Sequence, residues 1–165
     1  MTDTIRRNSF RSGLIALALT ASVQLASADE MSTILSAVCE GPYCAPAANS
    51  GNTFSLTQQG TSNSASAEQQ AIAGSTSNSA TMFQNGAGNA IGLTQTGGQN
   101  ATGIAQTGNY NSVTLTQPGG ASASVTQTGN YLGLNLSQGQ NTSIGVTQFG
   151  AGIAGAPPVT INTVK

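Results

Sequence analysis

The sequence of 165 residues has no histidine and no tryptophan, and only 5% of its residues are charged. Between residues 41 and 164 Glu68 is the single charged side chain. Acid–base, nucleophilic and metal chemistry need clusters of titratable groups, so we expect no enzyme and no catalytic, cofactor or metal site. Because this stretch has no Lys or Arg, we also expect no nucleic-acid partner, and nothing indicates a small-molecule substrate.

Aromatic residues are also scarce, at 4%, whereas glycine occurs 21 times, so an ordinary globular core is not expected. Disorder driven by charge fits poorly, because the formal net charge is only -1. What fills the chain is Ser, Thr, Asn, Gln and Gly, a composition that favours a low-complexity β assembly.

The N-terminus has the features of a cleavable signal peptide over residues 1–28. Arg6, Arg7 and Arg11 form a basic region, an apolar run follows, and Ala26-Ser27-Ala28 resembles a cleavage site. A membrane anchor is the alternative, but polar residues interrupt the run and it is short for a bilayer. We therefore expect general secretion of a chain that begins at Asp29 and carries a net charge of about -3 on ordinary ionisation.

Residues 29–51 form a short N-terminal segment that contains Cys39 and Cys44. In an exported chain two thiols commonly close a disulfide. A loop this short can be strained, so free or intermolecular thiols remain the alternative. A metal site is not expected, since the sequence offers no further Cys and no His as ligands.

From residue 52 onward glutamine recurs at nearly constant intervals. The intervals between successive members are 11, 15, 11, 11, 11, 10, 11 and 10 residues, and the members are Gln58, Gln69, Gln84, Gln95, Gln106, Gln117, Gln127, Gln138 and Gln148. Such self-similarity is typical of a solenoid. An Asn five residues after the Gln marks the better-conserved units, at Asn63, Asn89, Asn100 and Asn111, and Asn78 begins the unit that ends at Gln84.

Between each Asn and the next Gln the side chains alternate. Asn89, Ile91, Leu93 and Gln95 are separated by small or hydroxylated residues, and the other units repeat this pattern. Period two predicts strands with one buried face, whereas a helix would scatter these side chains. We therefore predict an all-β fold over residues 52–155: a β-solenoid of about five two-stranded coils of ~22 residues each, with Gln and Asn stacked in ladders about 4.8 Å apart.

A glycine two residues after most of these Gln residues is predicted to let the chain turn, because Gly reaches positive φ without a Cβ clash. These glycines are Gly60, Gly86, Gly97, Gly108, Gly119, Gly129 and Gly150. The long interval places four extra residues within 70–77, which predicts an enlarged corner, and the short intervals lose one residue near Gly119-Gly120 and Gly139-Gln140. The tail, residues 156–165, alternates once more and is a candidate last strand.

A single coil buries too few apolar side chains to offset its loss of backbone entropy, so stability has to come from coil stacked on coil. Both terminal coils are then expected to expose unpaired strand edges. Natural proteins usually block such edges with charge or proline, and the repeat region has little of either. The pattern predicts a chain that polymerises with copies of itself.

The unit Gln58-Gln59-Gly60-Thr61-Ser62-Asn63-Ser64-Ala65, and the similar unit from Gln106 to Val113, resemble the curlin repeat of bacterial curli fibres. This resemblance implies a secreted β-solenoid subunit of extracellular functional amyloid that serves biofilm matrix and cell adhesion. It further implies other curlin subunits, a periplasmic chaperone and an outer-membrane secretion channel as partners. The strands from Ala121 onward lack the Asn, so a nucleator or accessory curlin is the alternative to a bulk subunit.

Three other interpretations were considered. An ice-binding solenoid needs ranks of outward Thr, but the pairs Thr94/Thr96 and Thr126/Thr128 are expected on opposite faces. A carbohydrate-active β-helix enzyme needs paired carboxylates, and Glu68 stands alone. A disordered Ser-rich tail has no reason to alternate apolar residues.

Overall fold

The computed structural model describes residues 17–24, 33–38, 52–71 and 77–163, and over these it contains strands and no helix. The strands are β1 (Leu17–Gln24), β2 (Thr33–Val38), β3 (Thr53–Thr61), β4 (Ser64–Ala71), β5 (Ser79–Ala87), β6 (Ala90–Thr96), β7 (Ala101–Asn109), β8 (Ser112–Gln117), β9 (Ser122–Asn130), β10 (Gly133–Ser137), β11 (Ser143–Ala151) and β12 (Val159–Asn162). No helix in this part of the chain is long and apolar enough to cross a membrane.

The strands form two sheets of six. Sheet A has the order β1-β4-β6-β8-β10-β12, and sheet B has the order β11-β9-β7-β5-β3-β2. From β3 onward, successive strands alternate between the sheets and pair in parallel with the strand two places along the chain. This is a β-solenoid of five two-stranded coils, so the predicted fold is confirmed. The tail contributes β12, which pairs in parallel with β10 and completes the fifth coil.

Every coil has two corners, and we name them by their order. The first corner leads from sheet B to sheet A, at residues 60–63, 86–89, 108–111 and 129–132. The second corner leads back from sheet A to sheet B, at residues 97–100, 118–121 and 139–142. The enlarged corner predicted within residues 70–77 falls largely on residues 72–76, outside the described residues.

The core lies between the sheets and is one side chain deep from each. Alternate residues are buried along β3 to β10, as the period-two pattern predicted. The buried apolar residues are Phe54, Leu56, Ala65, Ala67, Ala80, Met82, Ile91, Leu93, Ile104, Val113, Leu115, Ala121, Ala123, Val125, Leu134 and Leu136. In the fifth coil Ile144, Val146 and Ile161 pack against this core but remain partly exposed, because no further coil covers them.

The two ends of the stack differ. At the C-terminal end β11 and β12 are the outermost strands, and their outer edges have no partner among the described residues. At the N-terminal end β2 pairs with β3 and β1 pairs with β4, both antiparallel. The expectation of two unpaired ends is therefore wrong at the N-terminal end. The repeat pattern could not show this, because β1 lies in the segment predicted to be a signal peptide and β2 lies outside the repeats.

Candidate functional site

The glutamines form two ladders inside the solenoid. In each step the side-chain amide Nε2 of one Gln donates to Oε1 of the Gln in the next coil, over 2.6–2.9 Å. The ladder of sheet B contains Gln58, Gln84, Gln106, Gln127 and Gln148, and that of sheet A contains Gln69, Gln95, Gln117 and Gln138. All except Gln148 are buried.

Each ladder also connects the two sheets. The second N–H of Gln84 donates to the carbonyl oxygen of Ser64, at the start of a sheet A strand, over 2.9 Å. Gln138 donates in the same manner from sheet A to the carbonyl oxygen of Ser122 in sheet B, over 2.8 Å. Amides buried without partners would destabilise the fold, whereas here both hydrogens of an interior Nε2 are used.

The asparagines form two further columns at the corners. Asn63, Asn89 and Asn111 lie at first corners, and Asn52, Asn78 and Asn100 lie at second corners. Within a column, Oδ1 of one Asn accepts from the backbone N–H of the next, as from Asn89 to Asn63 over 3.0 Å. The Nδ2 of Asn100 donates to the carbonyl oxygen of Thr96, four residues earlier, over 2.9 Å. Each Asn thus closes its own corner and joins it to a neighbouring coil.

The predicted turn glycines lie in two settings. Gly60, Gly86, Gly108, Gly129 and Gly150 have positive φ but sit near the ends of the sheet B strands, where the backbone still pairs with the next coil. Gly97 has positive φ at a second corner, whereas at the next second corner Gly120 takes that conformation and Gly119 does not.

The structure adds features that the sequence analysis missed. Tyr110 and Tyr131 lie one coil apart at first corners, with their rings stacked at a centroid distance of 5.1 Å. Beside them, Oδ1 of Asn130 accepts from the backbone N–H of Asn109 over 2.8 Å. The dipeptide Asn-Tyr recurring after 21 residues was the available signal.

Chemistry-bearing groups are sparse within the described residues. Glu68 lies exposed on the outer face of sheet A, and no three His, Cys, Asp or Glu side chains come together in this part of the chain. Cys39 and Cys44, and with them the predicted disulfide, lie outside the described residues. The arrangement is suited to binding a further strand at the end of the stack rather than to transforming a small molecule.

A solenoid whose coils are joined by ladders of buried amides defines a class of repeat proteins that stack in one dimension. Within this chain, residues 89–119 match the family model of the curlin associated repeat. The resemblance to the curlin repeat family is thereby confirmed, and this match supports a curli-type fibre subunit, a structural rather than an enzymatic protein. No curated protein and no solved structure matches the chain at a significant level.

Proposed function

We propose that the chain is a secreted structural subunit that assembles by coil stacking into curli-like extracellular amyloid fibres for biofilm matrix and cell adhesion. The observation that carries this proposal is the open C-terminal end. There β11 and β12 leave a row of backbone groups without partners among the described residues, and the ladder residue Gln148 is only partly buried. Edges of this kind are templates for pairing with another chain.

The open end is also apolar in cross-section. Ile144, Val146 and Ile161 point into the same space as the core residues of the preceding coil, yet each keeps part of its surface in solvent. Adding a coil would bury that surface, at about 25 cal/mol for each Å² removed from water. Every added subunit would recreate the same end, so growth can continue indefinitely.

Export and assembly partners follow from the curlin resemblance. We infer passage through the periplasm with a chaperone, release through an outer-membrane channel, and contact with other curlin subunits at the cell surface. A nucleator or accessory role differs from the bulk role in one measurable respect: a nucleator accelerates polymerisation of another curlin at a small molar fraction. A seeding assay with a second curlin therefore distinguishes the two.

The test of fibre formation uses the chain from Asp29 onward. We expect thioflavin-binding fibres with meridional diffraction near 4.7 Å. Gln106→Lys should abolish or greatly slow fibre formation, because Gln106 is fully buried in its ladder and a lysine there would be an unpaired buried charge. Thr107→Lys is the matched control, since Thr107 is exposed one residue away. A chain that stays monomeric at high concentration for days would contradict the proposal.

A further inference from the structure

The strands that cover the N-terminal end are of a different kind from the strands within the stack. Pairs from β3 to β12 are parallel and aligned Gln to Gln where both strands carry the ladder residue, whereas β2 on β3 and β1 on β4 are antiparallel. The residue opposite Gln58 is Thr33, and the residue opposite Gln69 is Leu19. Neither cover therefore places a side-chain amide at the end of a ladder.

The ladders consequently begin with two unsatisfied acceptors. Gln58 Oε1 and Gln69 Oε1 are the buried side-chain polar atoms of the described region that lack any hydrogen-bond partner. In each interior step this oxygen accepts from the Gln of the preceding coil, as Gln84 Oε1 accepts from Gln58 over 2.6 Å. A buried acceptor without a donor is costly, so the covers leave this end incompletely stabilised.

The opposite end of the molecule carries the missing donors. Gln148 Nε2 donates to the carbonyl oxygen of Gly133 over 3.2 Å, which leaves its second hydrogen without a ladder partner. In sheet A the position after Gln138 is taken by Thr163, whose Oγ1 accepts from the backbone N–H of Gly139 over 2.9 Å and retains a hydroxyl hydrogen. A donor at each ladder end thus corresponds to an acceptor at the other end.

The register of the stack fixes how two copies would meet. Continuing the alignment of β11, β9, β7, β5 and β3 places Gln148 of one copy on Gln58 of the next, and Val146 on Leu56. Continuing that of β12, β10, β8, β6 and β4 places Thr163 on Gln69 and Ile161 on Ala67. Apolar residues meet apolar residues, and both orphaned oxygens gain a donor.

We propose that β1 and β2 are exchangeable covers, which β12 and β11 of a second copy replace on β4 and β3 during head-to-tail assembly. The proposal rests on the proposed fibre function and adds its direction, its register and a step of strand exchange. If the chain is cleaved after Ala28, β1 is lost with the leader, and β2 is then the cover that an incoming copy displaces. Exchange is favoured because the incoming strands satisfy the ladder oxygens and the covers do not.

A reversible lock tests the exchange in the chain from Asp29 onward. With Cys39→Ser and Cys44→Ser as background, Ile34→Cys and Thr57→Cys place a disulfide between register partners of β2 and β3. Oxidation should slow fibre elongation at least tenfold, and a reductant should restore it. The matched control is Thr94→Cys with Thr116→Cys, register partners in the middle of sheet A, which should elongate equally in both redox states.

A second measurement tests the register. Thr147 continues to Thr57 of the next copy along sheet B, so fibres from a mixture of Thr57→Cys and Thr147→Cys chains in the same background should give mixed disulfide dimers on oxidation. Each variant alone should give none. Full-speed growth of the locked chain, or dimers within one variant, would overturn the exchange while leaving the fibre function intact. Absence of fibres from the reduced chain would instead overturn the fibre function and this inference with it.

Discussion

The two corners of each coil solve the same problem under different constraints. Across the first corner the Gln-to-Gln interval is 11 residues in all four complete coils, from Gln58 to Gln69 through Gln127 to Gln138. Across the second corner it is 15, 11, 10 and 10 residues. All of the variation in repeat length is therefore confined to the second corner.

The hydrogen bonds explain the difference. At the first corner β7 stays paired with β9 through Gly108 and Asn109, and the N–H of Tyr131 then donates to the carbonyl oxygen of Asn109. Every residue of this corner is tied to the next coil. At the second corner sheet pairing has ended, and single bonds such as that from the N–H of Gly120 to the carbonyl oxygen of Gly98 remain. Insertions are tolerated where the backbone is not paired from coil to coil.

The largest expected effect comes from Gly108→Ala in the first corner. Gly108 has a φ of 111°, and an added Cβ would overlap the carbonyl oxygen of Gly129. We expect a loss of more than about 4 kcal/mol in the free energy of unfolding, measured by urea denaturation of the soluble chain. The control is Gly119→Ala in the second corner, where the nearest atom is 3.4 Å from the added Cβ and φ is not positive. A similar loss in both variants would contradict the comparison.

Inserting one glycine gives the next largest difference. After Gly108 the insertion shifts Asn109 and Tyr110 out of register with both neighbouring coils, so we expect a loss of about 2–3 kcal/mol from two or three broken hydrogen bonds. After Gly119 the same insertion lengthens an unpaired loop and should cost under about 0.6 kcal/mol. Denaturation midpoints and unchanged m-values would check both figures, and equal midpoints would be evidence against differing corners.

The asparagines should behave alike at both corners. Asn111 donates to the carbonyl oxygens of Thr107 and Gly129 and accepts from the N–H of Leu132. Asn100 makes an equivalent set with Asn78, Thr96 and Ala121. Replacement of either by Ala should cost about 2–3 kcal/mol in urea denaturation, since each loses about three bonds. A large difference between them would show that the corners differ in their closing residue as well.

The smallest effect concerns the stacked tyrosines, which have no counterpart at the described second corners. Tyr131→Ala should lower the free energy of unfolding by about 1 kcal/mol through loss of the ring pair. Tyr131→Phe retains the stacking and should be neutral. Thermal denaturation of the three proteins suffices, and a cost in the Phe variant would assign the effect to the hydroxyl.

The fold could be predicted because the sequence repeats its instructions. Period two and the spacing of Gln58, Gln84 and Gln106 define strand, face and coil together, and any single unit would have been ambiguous. The predicted reason for the lack of charge is weaker. Five coils separate Glu68 from its copy in a stacked neighbour by about 24 Å at the normal strand spacing, so repulsion between copies is small.

What the sequence did not show lies outside the repeat or depends on contacts between coils. The pairing of Leu17–Gln24 with β4 joins segments with no common pattern. The positive φ at Gly120 rather than Gly119 follows from where a shortened corner bends, which composition alone does not specify. The tyrosine stack needed the coil length to be known before Tyr110 and Tyr131 could be recognised as neighbours.

The amides of the Gln ladders all point the same way along the stack. From Gln58 to Gln148 and from Gln69 to Gln138 each donor is in the earlier coil and each acceptor in the later one. Their dipoles add as the peptide dipoles of a helix do. The solenoid is therefore electrically polar along its axis, and an ordered bundle of such molecules lacks a centre of symmetry, the condition for frequency doubling of transmitted light.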